Sequence, residues 1–232
     1  MQWLYLAHNN FAGAIPTNQS LSLPLLKILV LEQNNFVGPI PPGLAACKNL
    51  EILTLLDNHF VDVIPTWLAQ LPRLFALSLA KNNIVGSIPA VLSNLTHLTV
   101  LDMGTNQLTG RIPSFLWNYL HYLIFMHNNN FSDSVPPTLG NNIPALERLA
   151  LGSNNLDGNL NFLSSLSNCK NLQVLDLSFN SFIGGLPDLI GNLSTELLWF
   201  SVGYNKLTGR LPSTLSNLSH LETLNLFNNL FP

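Results

Sequence analysis

Charged side chains are scarce in this sequence. Asp, Glu, Lys and Arg together make up 9% of its 232 residues, against about 25% in an ordinary soluble domain. The formal net charge is −3, which gives no affinity for the phosphates of nucleic acid or for anionic lipid. No apolar run approaches the roughly 18 residues of a membrane span. The start, Met1 to His8, has no basic region, and Asn9 and Asn10 interrupt it, so no secretory leader is read there. The six histidines stand without cysteines or carboxylates at ligand spacing, and H-E-x-x-H is absent. No glycine-rich phosphate loop occurs. Metals, cofactors and catalytic residues are therefore assigned to none of these positions.

What fills the chain instead is a repeat. Aligning segments on one asparagine gives Asn9, Asn34, Asn58, Asn82, Asn106, Asn129, Asn154, Asn180, Asn205 and Asn229. The shortest interval is 23 residues (106 to 129) and the longest is 26 (154 to 180). Three and five residues before each asparagine lie apolar residues, mostly leucine. Two residues after it lies Phe, Leu or Ile. Self-similarity at this period is the signature of a solenoid.

Each column has a physical role. The L-x-L pair is a short strand with period two, so its leucines point inward and the residue between them points out. Strands of successive coils lie side by side, about 4.8 Å apart, as a parallel sheet. The asparagine follows at a bend, where its amide can satisfy backbone groups of neighbouring coils. The expected fold is an α/β repeat solenoid: a curved superhelix of about ten 24-residue leucine-rich repeats with the sheet on the concave face. Stability comes from stacking, because no single coil can bury its own face. In the short repeat the first leucine position falls on His121, and Leu120 is expected to take the inward place. The long repeat carries Asn161 where proline is usual, and its extra length is expected on the back of the coil.

After the asparagine come Phe-Ala-Gly-Ala-Ile-Pro (11–16), Phe-Val-Gly-Pro-Ile-Pro (36–41), Ile-Val-Gly-Ser-Ile-Pro (84–89) and Leu-Thr-Gly-Arg-Ile-Pro (108–113). Glycine permits the turn and proline fixes an extended segment. Asp62 and Asp133 replace glycine in two repeats, and a different turn is expected there. This L-x-G-x-I-P signature, with Ser-Asn-Cys-Lys-Asn-Leu-Gln-Val-Leu-Asp-Leu-Ser (167–178) and Leu-Thr-Gly-Arg-Leu-Pro-Ser (207–213), resembles the ectodomains of plant receptor-like serine/threonine kinases. The likeness points to the cereal immune-receptor group among them.

The resemblance implies a single leucine-rich repeat domain over 1–232. It is read as an internal fragment without the signal peptide, caps, membrane helix or kinase domain of a parent receptor. It implies a non-catalytic recognition region on the extracellular side of the plasma membrane, in defence or developmental signalling. Its partners would be a peptide or protein ligand and a co-receptor, with no nucleic acid. Contact with the membrane would come only through other parts of the parent. Two alternatives share the repeat: a secreted inhibitor of cell-wall-degrading enzymes, and an intracellular interaction scaffold.

The candidate binding face is the outer side of the strands, where the residue type varies from coil to coil. Its candidates are Tyr5, His8, Asp102, Phe125, His127, Asp176, Phe179, Trp199, Tyr204 and Phe227. The aromatics Phe179, Trp199, Tyr204 and Phe227 fall on adjacent coils and form one expected cluster. Asn18, Asn94, Asn130, Asn192 and Asn217 open N-x-S/T sequons, of which Asn94, Asn192 and Asn217 share one position on the back. Cys47 and Cys169 occupy equivalent sites five coils apart, roughly 25 Å at the strand spacing, too far for a disulfide.

Overall fold

The computed structural model describes residues 1–16, 23–118, 120 and 122–232, which form two compact units, Met1–Thr109 and Gly110–Pro232. In the first, the strands Trp3–Tyr5, Ile28–Val30, Ile52–Thr54, Ala76–Ser78 and Val100–Asp102 pair in parallel, each with the next. In the second, Leu123–Phe125, Arg148–Ala150, Val174–Asp176, Trp199–Ser201 and Thr223–Asn225 do the same. Register is kept without slippage: Leu29 faces Leu53, and Leu175 faces Phe200. The central residue of each inner strand is buried because alternation turns it inward. Both units are stacks of leucine-rich repeat coils, with no closed barrel.

Among the described residues, the helical part of every coil is a short 3₁₀ segment, such as Thr66–Gln70, Ala90–Asn94 or Ser213–Asn217. Pro65, Pro89 and Pro212 precede these three in extended backbone, with φ of −71°, −66° and −64°. The ring of proline sets that angle. In the long repeat the 3₁₀ segment stretches to Leu160–Asn168, and the Asn159 side chain accepts from the Asn161 amide where proline would otherwise stand. The additional residues thus lie on the back. In the short repeat Leu120 is buried, which places it in the inward position; His121 lies outside the described residues.

The asparagines bind coil to coil. Asn82 donates from Nδ2 to the carbonyls of Leu79 and Ala80 in its own coil and of Leu55 in the preceding one, at 3.0–3.1 Å. Its Oδ1 accepts from the Phe60 amide at 2.9 Å. Asn34, Asn58 and Asn106 repeat the pattern in the first unit, and Asn154, Asn180, Asn205 and Asn229 in the second. Asn129 donates to Met126 and His127. The side chain of Asn9, on the first coil, donates to Leu6 and Ala7 of its own coil and is exposed. Rings stack beneath the ladder, with Phe36 6.1 Å from Phe11 and 6.3 Å from Phe60.

The turn after the spine needs a left-handed residue. Glycine supplies it at Gly38 and Gly86, with φ of 83° and 79°. Asp62 and Asp133 adopt the same region, with φ of 79° and 69°. The turn is therefore retained, contrary to the expectation from sequence. A short polar side chain that can bond locally tolerates this region, and Asp62 Oδ1 accepts from the Val63 amide at 2.8 Å.

Candidate functional site

The outer strand face is built by alternation. Positions flanking each central leucine point away from the core, and so do the two residues leading to the ladder asparagine. That last residue is left-handed in every coil, from His8 (φ 55°) to Phe179 (52°) and Tyr204 (54°). An identical backbone state one coil apart aims two side chains in parallel. Phe179 and Tyr204 stack at 4.1 Å with their planes 10° apart. Phe227 sits one position earlier in its coil, where Asn228 takes the left-handed residue, and meets Tyr204 at 5.3 Å, tilted by 52°. Phe179 and Phe227 keep 50% and 67% of their surface exposed.

Trp199 does not join this stack. It lies on the strand Trp199–Ser201, in register with Val174 and Thr223, and lines a separate hollow of about 350 Å³ with Phe125, His127, Ala150, Val174 and Asp176. The single aromatic cluster expected from sequence is thus two features, because Trp199 projects from the strand while the other rings project from the bend. Phe125 meets His127 edge to face at 6.4 Å. Asp176 Oδ1 accepts from the Ser178 amide (3.0 Å) and hydroxyl (2.6 Å). Ala150 and Ser201, outward by alternation, are buried. Small side chains at those places are covered by larger neighbours.

The remaining candidates lie apart. Tyr5 and His8 are exposed on the first coil beside Trp3. Asp102 is half-buried, and its carboxylate takes bonds from the Gly104 amide and the Ser78 hydroxyl. Asn94, Asn192 and Asn217 are each the exposed last residue of a 3₁₀ segment. Asn130 is exposed at the start of the short strand Asn130–Ser134, and Asn18 lies outside the described residues. Cys47 and Cys169 are free, buried thiols. Among the described residues no His, Cys, Asp or Glu cluster could hold a metal, and no helix is long and apolar enough to cross a membrane. Val174 and Gly152 were missed by column reading. The signal was present: Ala150 and Gly152 form a small-residue gap between Phe125 and His127 on one coil and Asp176 and Ser178 on the next.

Residues 48–108 match the family model described as Leucine rich repeat, and residues 171–193 match a second Leucine Rich Repeat model. Over 67 residues the chain is 45% identical to the receptor kinase-like protein Xa21 of Oryza sativa subsp. japonica, covering 29% of this chain and 6% of that protein. Among solved structures, the Arabidopsis receptor kinase HAESA, in complex with the peptide hormone IDA and the co-receptor SERK1, superposes with a TM-score of 0.91. Its identity is 33%, over 100% of this chain and 38% of that one. The ectodomain of the Arabidopsis thaliana receptor kinase GASSHO1/SCHENGEN3, in complex with CASPARIAN STRIP INTEGRITY FACTOR 2, gives 0.82 at 31% identity, over 100% and 30%. This chain spans well under half the length of each. Its repeats are homologous to plant receptor kinase ectodomains, and its fold resembles their ligand-binding regions rather than a catalytic domain.

Proposed function

We propose that this chain is the ligand-recognition region of a plant cell-surface receptor-like kinase, in defence or developmental signalling. It would face the extracellular side of the plasma membrane and take a peptide ligand, with a co-receptor closing on the complex. The observation that carries this reading is the exposed stack of Phe179, Tyr204 and Phe227 on the outer strand face. Three large, rigid rings in contact supply binding area at low entropic cost, and no core or ladder residue is spent on them. Homology to an ectodomain solved with a peptide hormone and a co-receptor supports the same reading.

The test is selection of a random peptide library against the full chain displayed on yeast. Enriched peptides should lose about 1–3 kcal/mol of affinity when Phe179, Tyr204 or Phe227 is changed to alanine. Changes at Ser93 and His97, on the back of one coil, should be nearly silent. The reading fails if no peptide is enriched, or if the back-face changes abolish binding while the three aromatic changes do not.

A further inference from the structure

The geometry points to the hollow between Phe125 and Trp199 as a subsite for one arginine side chain of a bound peptide. This rests on the recognition role proposed above and specifies a chemistry for it.

The hollow exists because one coil is stripped of bulk. Ala150 and Gly152 lie between a coil bearing Phe125 and His127 and a coil bearing Asp176. Gly152 lets the Asp176 side chain lean back across the gap. A Cβ at that glycine would stand 2.8 Å from Asp176 Oδ2. The carboxylate is divided in its duties: Oδ1 accepts both Ser178 bonds, while Oδ2 accepts none among the described residues. On the other side stands the imidazole of His127. Aromatic rings of Phe125 and Trp199 complete the walls.

These groups ask for a flat cation rich in donors. A carboxylate oxygen accepts a charge-assisted hydrogen bond. The indole and phenyl faces attract a cation that lies along them. Arginine meets both, because its guanidinium is planar, weakly hydrated and carries five donors in a fork; the lysine ammonium is a compact, strongly hydrated point. About 350 Å³ is ample for such a side chain. Arg148 sits on the same sheet in register with Val174, and among the described residues it makes no ion pair with Asp176. The carboxylate is thus not neutralised from within.

The chain itself supplies the control substitution. Asn225 holds the place of Asp176 two coils later, and its Oδ1 accepts the Phe227 amide at 3.0 Å, the counterpart of the Ser178 amide bond. Asp176→Asn therefore keeps the local turn and removes only the charge.

The probe is a streptavidin tetramer carrying biotinylated Gly-Ser-Arg-Ser-Gly, used to stain the full chain on yeast, with multivalency raising weak binding to a measurable level. Matched tetramers carry citrulline, lysine or norleucine in place of arginine. The arginine probe should stain at a midpoint about tenfold lower in concentration than citrulline or norleucine, with lysine in between. Asp176→Asn should shift the midpoint up about tenfold, and so should Trp199→Thr, which installs the side chain found at the same register in Thr223. Arg148→Gln should leave it unchanged or tighten it. The subsite is overturned if the arginine probe does not stain, if citrulline or norleucine matches it, if Asp176→Asn is silent, or if Arg148→Gln abolishes staining. Enrichment of arginine-free peptides in the library selection, with no arginine staining, would sink the subsite and leave the recognition role standing. Asp176-dependent arginine staining with no enriched peptide would do the reverse.

Discussion

Asn82 shows what one side chain contributes to a stack of coils. Its amide answers three carbonyls and one amide of two coils, all away from water. Asn82→Ala leaves the buried Phe60 amide without its acceptor and takes one of two bonds from each of the three carbonyls, which keep Asn58, Asn106 and the Asp57 amide as donors. A buried orphan costs about 1–3 kcal/mol, and each lost bond adds a smaller share. A destabilisation of about 3 kcal/mol is expected in urea unfolding. Asn9→Ala, on an exposed residue whose side chain donates within its own coil, should cost under about 1 kcal/mol. Equal losses at both positions would show that the bonds between coils contribute nothing. The buried cysteines give a second prediction at this scale. Burial pushes the Cys169 thiol from 9.0 up to about 12, against a smaller downward pull from Lys170. Burial raises Cys47 as well, opposed by a backbone hydrogen bond. Neither should react with iodoacetamide at pH 8 in the folded chain, and both should react in denaturant. The folded state holds the Cys169 proton more tightly than the unfolded chain does. That contribution to stability is complete below pH 9 and is lost as pH rises from 9 toward 12. Between pH 9 and 11 the unfolding midpoint of the native chain should fall faster than that of Cys169→Ala.

A coil element is a strand, a bend, a left-handed turn and a 3₁₀ segment, each held by a different residue type. The end of the 3₁₀ segment is where the chain offers a modification site. Asn94, Asn192 and Asn217 each close such a segment with an exposed amide and a serine or threonine two residues on. Expressed behind a signal peptide in plant cells, all three should carry glycans, seen as deamidation by mass spectrometry after glycosidase release. Unmodified asparagine at all three sites would contradict the extracellular assignment. The outer face obeys another element rule. The left-handed residue before each ladder asparagine repeats in backbone but varies in side chain, so Phe179 and Tyr204 stack by sharing a conformation rather than by any motif.

At the scale of the whole molecule, the first and last coils carry uncovered apolar surface. Central leucines such as Leu53, Leu77 and Leu175 are fully buried, whereas Leu224 of the last strand is 39% exposed. On the first coil Leu4 and Leu6 line an apolar opening of about 250 Å³ with Ile15, Leu29 and Leu31. Uncovered apolar surface on an outer coil of a repeat array promotes association. The 232-residue chain expressed alone should therefore run largely as oligomer or aggregate in size exclusion. Fusing a polar capping coil to each end should shift it to monomer. An unchanged elution profile would show that these apolar openings do not drive association.

The sequence by itself determined the coil and its stacking. Leucine, asparagine and phenylalanine columns state which atoms face inward, and those relations involve only a coil and its neighbour, so spacing suffices to read them. It also placed Leu120 inward and the extra residues of the long repeat on the back. The tertiary structure alone decided what the outer face is. Asp62 and Asp133 take up the glycine turn, Asp62 with a local hydrogen bond that compensates a strained φ, which spacing does not report. Trp199 parts from Tyr204 because strand and bend aim side chains in different directions. The hollow beside Trp199 exists because Ala150 and Gly152 leave room that Asp176 leans into. That depends on side-chain size and rotamer compared across three coils, not on the period along the chain.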